Sequence, residues 1–175
     1  MKKISVPFTR KNVNALKAGD AILLSGVIYT ARDQAHKKLV DAIRRGKNIP
    51  LKLEGQIIYY CGPTPAPKSR PIGSCGPTTS GRMDDFTPIL LAKGLLGMIG
   101  KGDRSREVKA AIKKYKAVYF VAIGGAGAYL SKRVERAGVV GYKELGPEAI
   151  YRLEVKDFPV VVAIDSKGRS LFNER

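Results

Sequence analysis

The chain has 175 residues, 44% of them hydrophobic and 27% charged, which is ordinary for one soluble globular domain and short for two. No run approaches the roughly 20 apolar residues of a membrane span, and the lysines near the amino terminus precede no signal-peptide apolar stretch. We therefore interpret residues 1–175 as a single domain and predict a cytoplasmic protein with no membrane partner.

The formal net charge of +17 calls for an anionic partner. Nucleic acid is one candidate, since a pI near 10 is typical of proteins that bind it. The basic residues are scattered, however, without a basic tail or a helix-turn-helix, RNA-recognition or zinc-finger signature. An acidic protein or an acidic substrate explains the charge equally well.

Two cysteines and one histidine restrict metal chemistry. An iron–sulfur cluster needs three protein thiolates if one iron is open and four if none is, so Cys61 and Cys75 alone cannot hold one. A zinc site of the usual Cys/His composition lacks ligands as well. Two cysteines make no disulfide framework, which suits a reducing compartment. We predict no metal ligand in this chain.

The first half of the chain alternates short strands and helices. The capping-box pattern of Thr30 and Asp33 predicts the start of a helix that ends at Gly46. Around it, hydrophobic patterns predict a strand at 2–8, a short helix from Thr9 to Leu16, a buried strand at 21–29, and strands at 49–53 and 56–60.

Arg32 falls in the first turn of the predicted second helix. Free backbone N–H groups and the positive end of the helix dipole suit an anion there, and an arginine adds to the attraction. An exposed arginine without a ligand is the alternative. His36 follows one turn later with no nucleophile or ligand partner in view, which favours a structural role; a direct catalytic role is the alternative.

A hydroxyl-rich stretch at 73–85 follows a proline-rich loop. It places Thr78, Thr79 and Ser80 between glycines and closes on Arg82. Glycine allows close approach of backbone N–H groups to a ligand, and hydroxyls beside a guanidinium suit a carboxylate. Because Gly81 disfavours a regular helix, we predict an irregular anion-binding turn. A polar surface loop that caps the next helix is the alternative.

The second half mixes strands and helices without strict alternation, which fits a mixed α/β or α+β layered domain. Lys101 lies between glycines at the end of a strand, like a binding residue, although many such lysines are only solvated. The glycines at 124–127 predict a close strand-to-helix turn rather than a dinucleotide site. The other predicted elements are helices at 87–93, with Thr87 as N-cap, and 105–115, strands at 95–99, 117–123, 139–143 and 149–155, and a hairpin at 160–172.

Several of these stretches together resemble one family, the β subunit or carboxy-terminal domain of class I fumarate hydratases and the related L(+)-tartrate dehydratases. The motifs appear in the same order along nearly the whole chain. They include 19–20 (GD), 24–26 (LSG), 30–36 (TARDQAH), 59–63 (YYCGP), 76–84 (GPTTSGRMD) and 154–159 (EVKDFP).

The resemblance implies a swivelling β/β/α fold, like that of aconitase-like proteins, and a hydro-lyase that adds water to a dicarboxylate double bond. In this family a partner α subunit carries a [4Fe–4S] cluster on three cysteines. By similarity, Arg32, Arg82 and Lys101 bind the substrate carboxylates and Thr78 acts nearest the proton transfer. The relatives commonly have small apolar residues where Cys61 and Cys75 stand.

Overall fold

The computed structural model describes residues 1–123 and 125–172. Within these ranges the chain forms seven strands, five α-helices and two short 3-10 helices. In chain order the strands and α-helices are β1 (Lys2–Val6), α1 (Arg10–Asn14), β2 (Ala21–Thr30), α2 (Asp33–Arg44), β3 (Ile57–Tyr59), α3 (Thr87–Ala92), β4 (Gly97–Gly100), α4 (Arg106–Tyr115), β5 (Val118–Val121), α5 (Gly127–Ser131), β6 (Val134–Gly141) and β7 (Ile150–Ile164). The 3-10 helices span Ser80–Met83 and Lys143–Glu148.

A single mixed sheet organises the domain. Strands β1 to β5 pair in parallel, and β7 pairs antiparallel with β2, β5 and β6. The 15-residue β7 follows β2 and then reaches β5, so β2, β3, β4, β5 and β7 form a closed ring of pairings. The structure confirms the predicted mixed α/β class.

Hydrophobic residues pack into two cores on opposite faces of the sheet. Because successive side chains of a strand point to opposite faces, Ile57 and Tyr59 of β3 enter one cluster, whereas Ile58 enters the other. The second cluster contains buried residues of α2, α3 and α4, such as Leu39 and Ile112. These helices therefore form a layer over one face of the sheet.

The predicted capping box at Thr30 is wrong. Thr30 is the last residue of β2, and its hydroxyl accepts a hydrogen bond from the Tyr151 amide at 3.2 Å. Arg32 occupies the N-cap position of α2 without a side-chain cap bond, and the helix ends at Arg44 rather than Gly46. The Thr30 hydroxyl therefore bonds to β7, whereas the sequence pattern assigned it to the start of the helix.

Other predicted elements also differ, and the predicted strands at 149–155 and 160–165 are one strand, β7. Residues 49–53 form no strand, and Thr87 lies inside α3 rather than at its N-cap. The carboxy-terminal hairpin is reduced to one bridge between Ile164 and Ser170. Part of the predicted turn at 124–127 lies outside the described residues, and Gly127 begins α5. By contrast, α4 spans Arg106–Tyr115, close to the predicted 105–115, and Ser105 caps it by accepting a 3.2 Å hydrogen bond from the Val108 amide.

A buried arginine ties the hydroxyl-rich stretch to the helices behind it. Arg104 donates from Nε to Asp84 Oδ1 at 2.7 Å and from Nη2 to Thr87 Oγ1 at 2.8 Å. Its guanidinium carbon lies 5.2 Å and 4.8 Å from the ring centroids of Tyr60 and Tyr119. Asp84 Oδ2 accepts a hydrogen bond from the backbone amide of Ser105, the N-cap of α4, at 2.7 Å. One ion pair thereby fixes the end of the 3-10 turn.

A buried histidine supports the turn between β2 and α2. His36 Nδ1 lies 2.8 Å from the Arg32 carbonyl oxygen, which can only accept, so Nδ1 carries the proton. The ring packs edge-on against Tyr60, with centroids 5.4 Å apart. Burial lowers the pKa of His36 to about 4, so the imidazole is neutral. This arrangement agrees with the structural role that we predicted.

We predict that Arg104→Met lowers the free energy of unfolding by about 3–5 kcal/mol, because it leaves the Asp84 carboxylate, which is only 13% exposed, without its charged partner. Urea titration measures this. Asp41→Asn is the matched control: it breaks the exposed Asp41–Arg45 pair and should change stability by less than about 0.5 kcal/mol. A loss below about 1 kcal/mol for Arg104→Met would contradict the structural role of the pair.

We also predict that His36 makes stability depend on pH. The folded pKa is lower than the usual value of 6.5, so below that value the unfolded chain binds a proton that the folded chain excludes. The free energy of unfolding keeps its full contribution from His36 above about pH 6.5 and falls by about 3 kcal/mol as the pH drops to about 4. Urea titrations across this range should show a smaller decline for His36→Asn than for the native chain. Equal declines would refute the prediction.

Candidate anion-binding site

The candidate residues lie at one edge of the sheet. Arg32 follows the carboxyl end of β2, Lys101 follows that of β4, and these parallel strands end on the same side. Thr78 joins this edge because its amide donates to the Tyr60 carbonyl, just beyond β3, at 2.7 Å. The carboxyl ends of parallel strands are the usual place for a ligand site in α/β sheets.

The hydroxyl-rich stretch runs alongside the end of β4. Thr79 pairs with Lys101 in a parallel bridge, and the Ser80 amide donates to the Lys101 carbonyl at 2.9 Å. A Cβ at Gly100 would overlap the Ser80 hydroxyl, so this close approach requires glycine. The stretch then forms the 3-10 turn Ser80–Met83 that carries Arg82. The structure thus has one regular 3-10 turn where we predicted an irregular one.

Asp33 brings the two candidate arginines together. Arg82 donates from Nε to Asp33 Oδ1 at 3.0 Å and from Nη2 to Oδ2 at 2.7 Å. Arg32 Nε lies 3.9 Å from the same Oδ2. The two arginines therefore face one carboxylate in a shared site, as the prediction of a common anion site requires. Their role in binding substrate stays a prediction.

The Arg32 side chain is tightly packed, but its Nε–H donor forms no hydrogen bond with the described residues. Its Nε is buried without a hydrogen bond among the described residues, and so is Glu148 Oε1, 3.9 Å away. A Cβ at Gly62 would come within 3.0 Å of the Arg32 side chain, so the guanidinium packs against backbone. The packing and the two nearby carboxylates hold the Arg32 guanidinium in place, while its Nε–H can still donate a hydrogen bond.

Lys101 and Arg82 provide accessible positive charge. Lys101 is exposed and forms no salt bridge within residues 1–123 and 125–172. The Arg82 side chain is 51% exposed despite its pairing with Asp33. Both cations are therefore accessible from solvent in the folded chain.

The two cysteines lie behind this edge and are fully buried. A hydrogen bond donated to Cys75, together with burial, raises the pKa of the Cys61 thiol, which keeps that thiol protonated. Thiolate is the form that binds metal. Across the described part of the chain, no group of three or more His, Cys, Asp or Glu residues is arranged to hold a metal ion.

Sequence reasoning missed the acidic residues of the site. The sequence pattern assigns Asp33 to a helix cap and gives no role to Glu148, nor to the supporting cation Arg104. The available signals were weak: Asp33 directly follows a candidate arginine, and Asp84 ends the hydroxyl-rich motif. Their partners come from other elements, which only the fold brings into contact.

Comparison with known proteins gives a consistent family. The family model described as "Fumarase C-terminus" matches residues 1–175. A Methanocaldococcus jannaschii protein, provisionally named L(+)-tartrate dehydratase subunit beta, is 40% identical over 95% of this chain and 88% of its own length. The anaerobic class I fumarate hydratase of Escherichia coli is 41% identical over 86% of this chain. Mitochondrial fumarate hydratase 1 of Leishmania major is 38% identical over the same share.

The chain spans 28% of the length of each of those two fumarate hydratases. The Methanocaldococcus relative, by contrast, is matched over most of both chains. The match of the family model to the whole chain and the near-full-length similarity to this relative lead to one conclusion: the chain belongs to the fumarase C-terminus family.

Proposed function

We propose that this chain is the β subunit of a class I [4Fe–4S] fumarate hydratase, which hydrates fumarate reversibly to (S)-malate in the cytoplasm. It supplies carboxylate-binding and proton-transfer residues to a site shared with a cluster-bearing α subunit. The observation that carries this proposal is the meeting of Arg32 and Arg82 at one carboxylate, with Lys101 exposed at the same sheet edge.

The cluster that the resemblance implies does not fit the donors of this chain. Two buried cysteines cannot supply three thiolates, and the Cys61 thiol is held protonated. In this proposal the α subunit holds the cluster, and we derive no step through it. The relative lengths support a second component, because this chain spans only 28% of each of the two fumarate hydratases.

The cations of this chain match the charge of the substrate. A dicarboxylate needs positive groups at both ends, and arginine can bind a carboxylate with two parallel hydrogen bonds. Proton transfer at the carbon beside one carboxylate places extra charge on its oxygens. Fixed cations stabilise that charge without reorganising, which lowers the barrier. We assign Arg32, Arg82 and Lys101 to these contacts.

Thr78 is the proposed proton-transfer residue. Its backbone is anchored to β3 through the Tyr60 carbonyl, and its side chain is partly exposed at the site edge. A threonine hydroxyl is a weak base at neutral pH, so we propose that it relays the proton to a carboxylate of the partner. The hydroxyl both donates and accepts hydrogen bonds, which a relay requires.

Two alternatives make different experimental predictions. An L(+)-tartrate dehydratase β subunit would use the same cations, and the name of the Methanocaldococcus relative favours this candidate. The net charge of +17 alone would also suit a nucleic-acid-binding domain. That domain would lose affinity steeply with salt, whereas a lyase subunit should co-purify with a second chain.

Co-expression with the candidate α chain tests the function. After anaerobic reconstitution with iron and sulfide, we expect the complex to interconvert fumarate and malate and each chain alone to be inactive. Tartrate turnover without fumarate turnover would select the alternative lyase. Absence of a complex, together with salt-sensitive binding of this chain to DNA or RNA, would refute both lyase assignments.

We predict that Thr78→Ala in the assembled enzyme lowers kcat at least about 100-fold and leaves KM nearly unchanged, because only the proton-transfer step loses a group. Steady-state kinetics with fumarate measure this, and Thr78→Ser should recover part of the rate. Thr79→Ala is the matched control, since it removes a neighbouring exposed hydroxyl and keeps the backbone bridge. Near-native turnover by Thr78→Ala would exclude the relay.

Loss of one arginine should weaken diacid binding more than monoacid binding. We predict that Arg32→Met or Arg82→Met raises the inhibition constant of succinate about 10- to 100-fold, from the loss of charged hydrogen bonds. The inhibition constant of butyrate should change less. Arg45→Met removes an exposed arginine at the far end of α2 and should change neither constant. Equal effects on both acids would contradict carboxylate binding at two ends.

A further inference from the structure

Arg82 forms hydrogen bonds along only one edge of its guanidinium. Asp33 takes the Nε–H and one Nη2–H, at 3.0 Å and 2.7 Å. A guanidinium has five N–H donors in a rigid plane, so both Nη1–H groups and the second Nη2–H remain available. The arginine is therefore oriented by Asp33 and still able to bind a carboxylate with its other edge.

Asp33 is itself well anchored. It is the first residue of α2, where the helix dipole favours a negative side chain, and its carboxylate also faces Arg32 Nε at 3.9 Å. Two guanidinium groups that face one site repel each other, and a carboxylate between them reduces this repulsion. Asp33 thus satisfies two requirements of a site with two arginines: fixed geometry and local charge balance.

Resting on the proposed function, we propose that Asp33 is a positioning residue that acts through Arg82. It holds the guanidinium edge-on, so that the free edge faces the incoming substrate carboxylate. Arg82 lies on a short, exposed 3-10 turn, where a long side chain without a partner samples many rotamers. Ordering such a side chain during binding would weaken affinity about 3- to 10-fold, and the Asp33 contact removes that cost in advance.

A competing role for Asp33 has the opposite sign. If its carboxylate merely filled the substrate position, neutralising it would strengthen diacid binding. If it positions Arg82, neutralising it weakens binding. Asp33→Asn separates the two roles because it keeps the shape of the side chain and removes its charge. Asp33→Ser serves as a second variant that also suits the start of a helix.

The first measurement is independent of catalysis. In ¹H–¹⁵N spectra of the full chain, the Arg82 Nε–H signal, assigned by its absence in Arg82→Lys, should exchange slowly with water. Asp33→Asn and Asp33→Ser should accelerate this exchange at least about 10-fold, whereas Asp41→Asn on the same helix should not. Unchanged exchange in both Asp33 variants would overturn the proposal.

The second measurement uses the assembled enzyme. Asp33→Asn should raise KM for fumarate about 3- to 10-fold with kcat within about twofold, and should have no further effect in an Arg82→Lys background. A lower or unchanged KM, or full additivity with Arg82→Lys, would overturn the positioning role. If the native complex shows no hydro-lyase activity, the proposed function fails, while the exchange measurement still decides whether Asp33 orients Arg82.

Discussion

The parallel pairing of β2, β3 and β4 is the constraint on which the site depends. Parallel strands end on the same side of a sheet, so the residues that follow them meet at one edge. The long β7 strand pairs with both β2 and β5 and closes the ring, which leaves the strands little freedom to shift in register. Arg32 and Lys101 are far apart in sequence but belong to one surface for this reason.

At this edge, nearby carboxylates balance the positive charges, although the chain as a whole is strongly basic. The chain carries a net charge of +17, yet Arg32 and Arg82 each face carboxylates from Asp33 or Glu148. These contacts differ in closeness: Asp33 bonds Arg82 directly, while Arg32 Nε stays 3.9 Å from both acids. Arg82 is thus oriented by its partner, and Arg32 is confined with a donor still unused. Both conditions favour recognition of an anion with little reorganisation.

Support behind the site comes from hydrogen-bonded buried polar groups, of which only His36 Nε2 has no partner among the described residues. Arg104 and Asp84 link the hydroxyl-rich turn to α3 and α4, and neutral His36 holds the carbonyl of Arg32. Such groups are costly to bury alone and stable only when paired, so they specify one geometry. This sheet edge can therefore remain open and charged while the residues beneath it stay rigid.

Local pattern by itself determined much of this protein. The apolar periodicity located β2, α2 and α4, and the hydroxyl-rich motif identified the segment that carries Thr78 and Arg82. These signals depend on neighbours within one or two turns. Tertiary structure decided the rest: Thr30 bonds β7 rather than capping a helix, and Asp33 reaches Arg82, 49 residues away. A polar side chain takes the partner that the fold brings nearest, and sequence spacing carries no information about that distance.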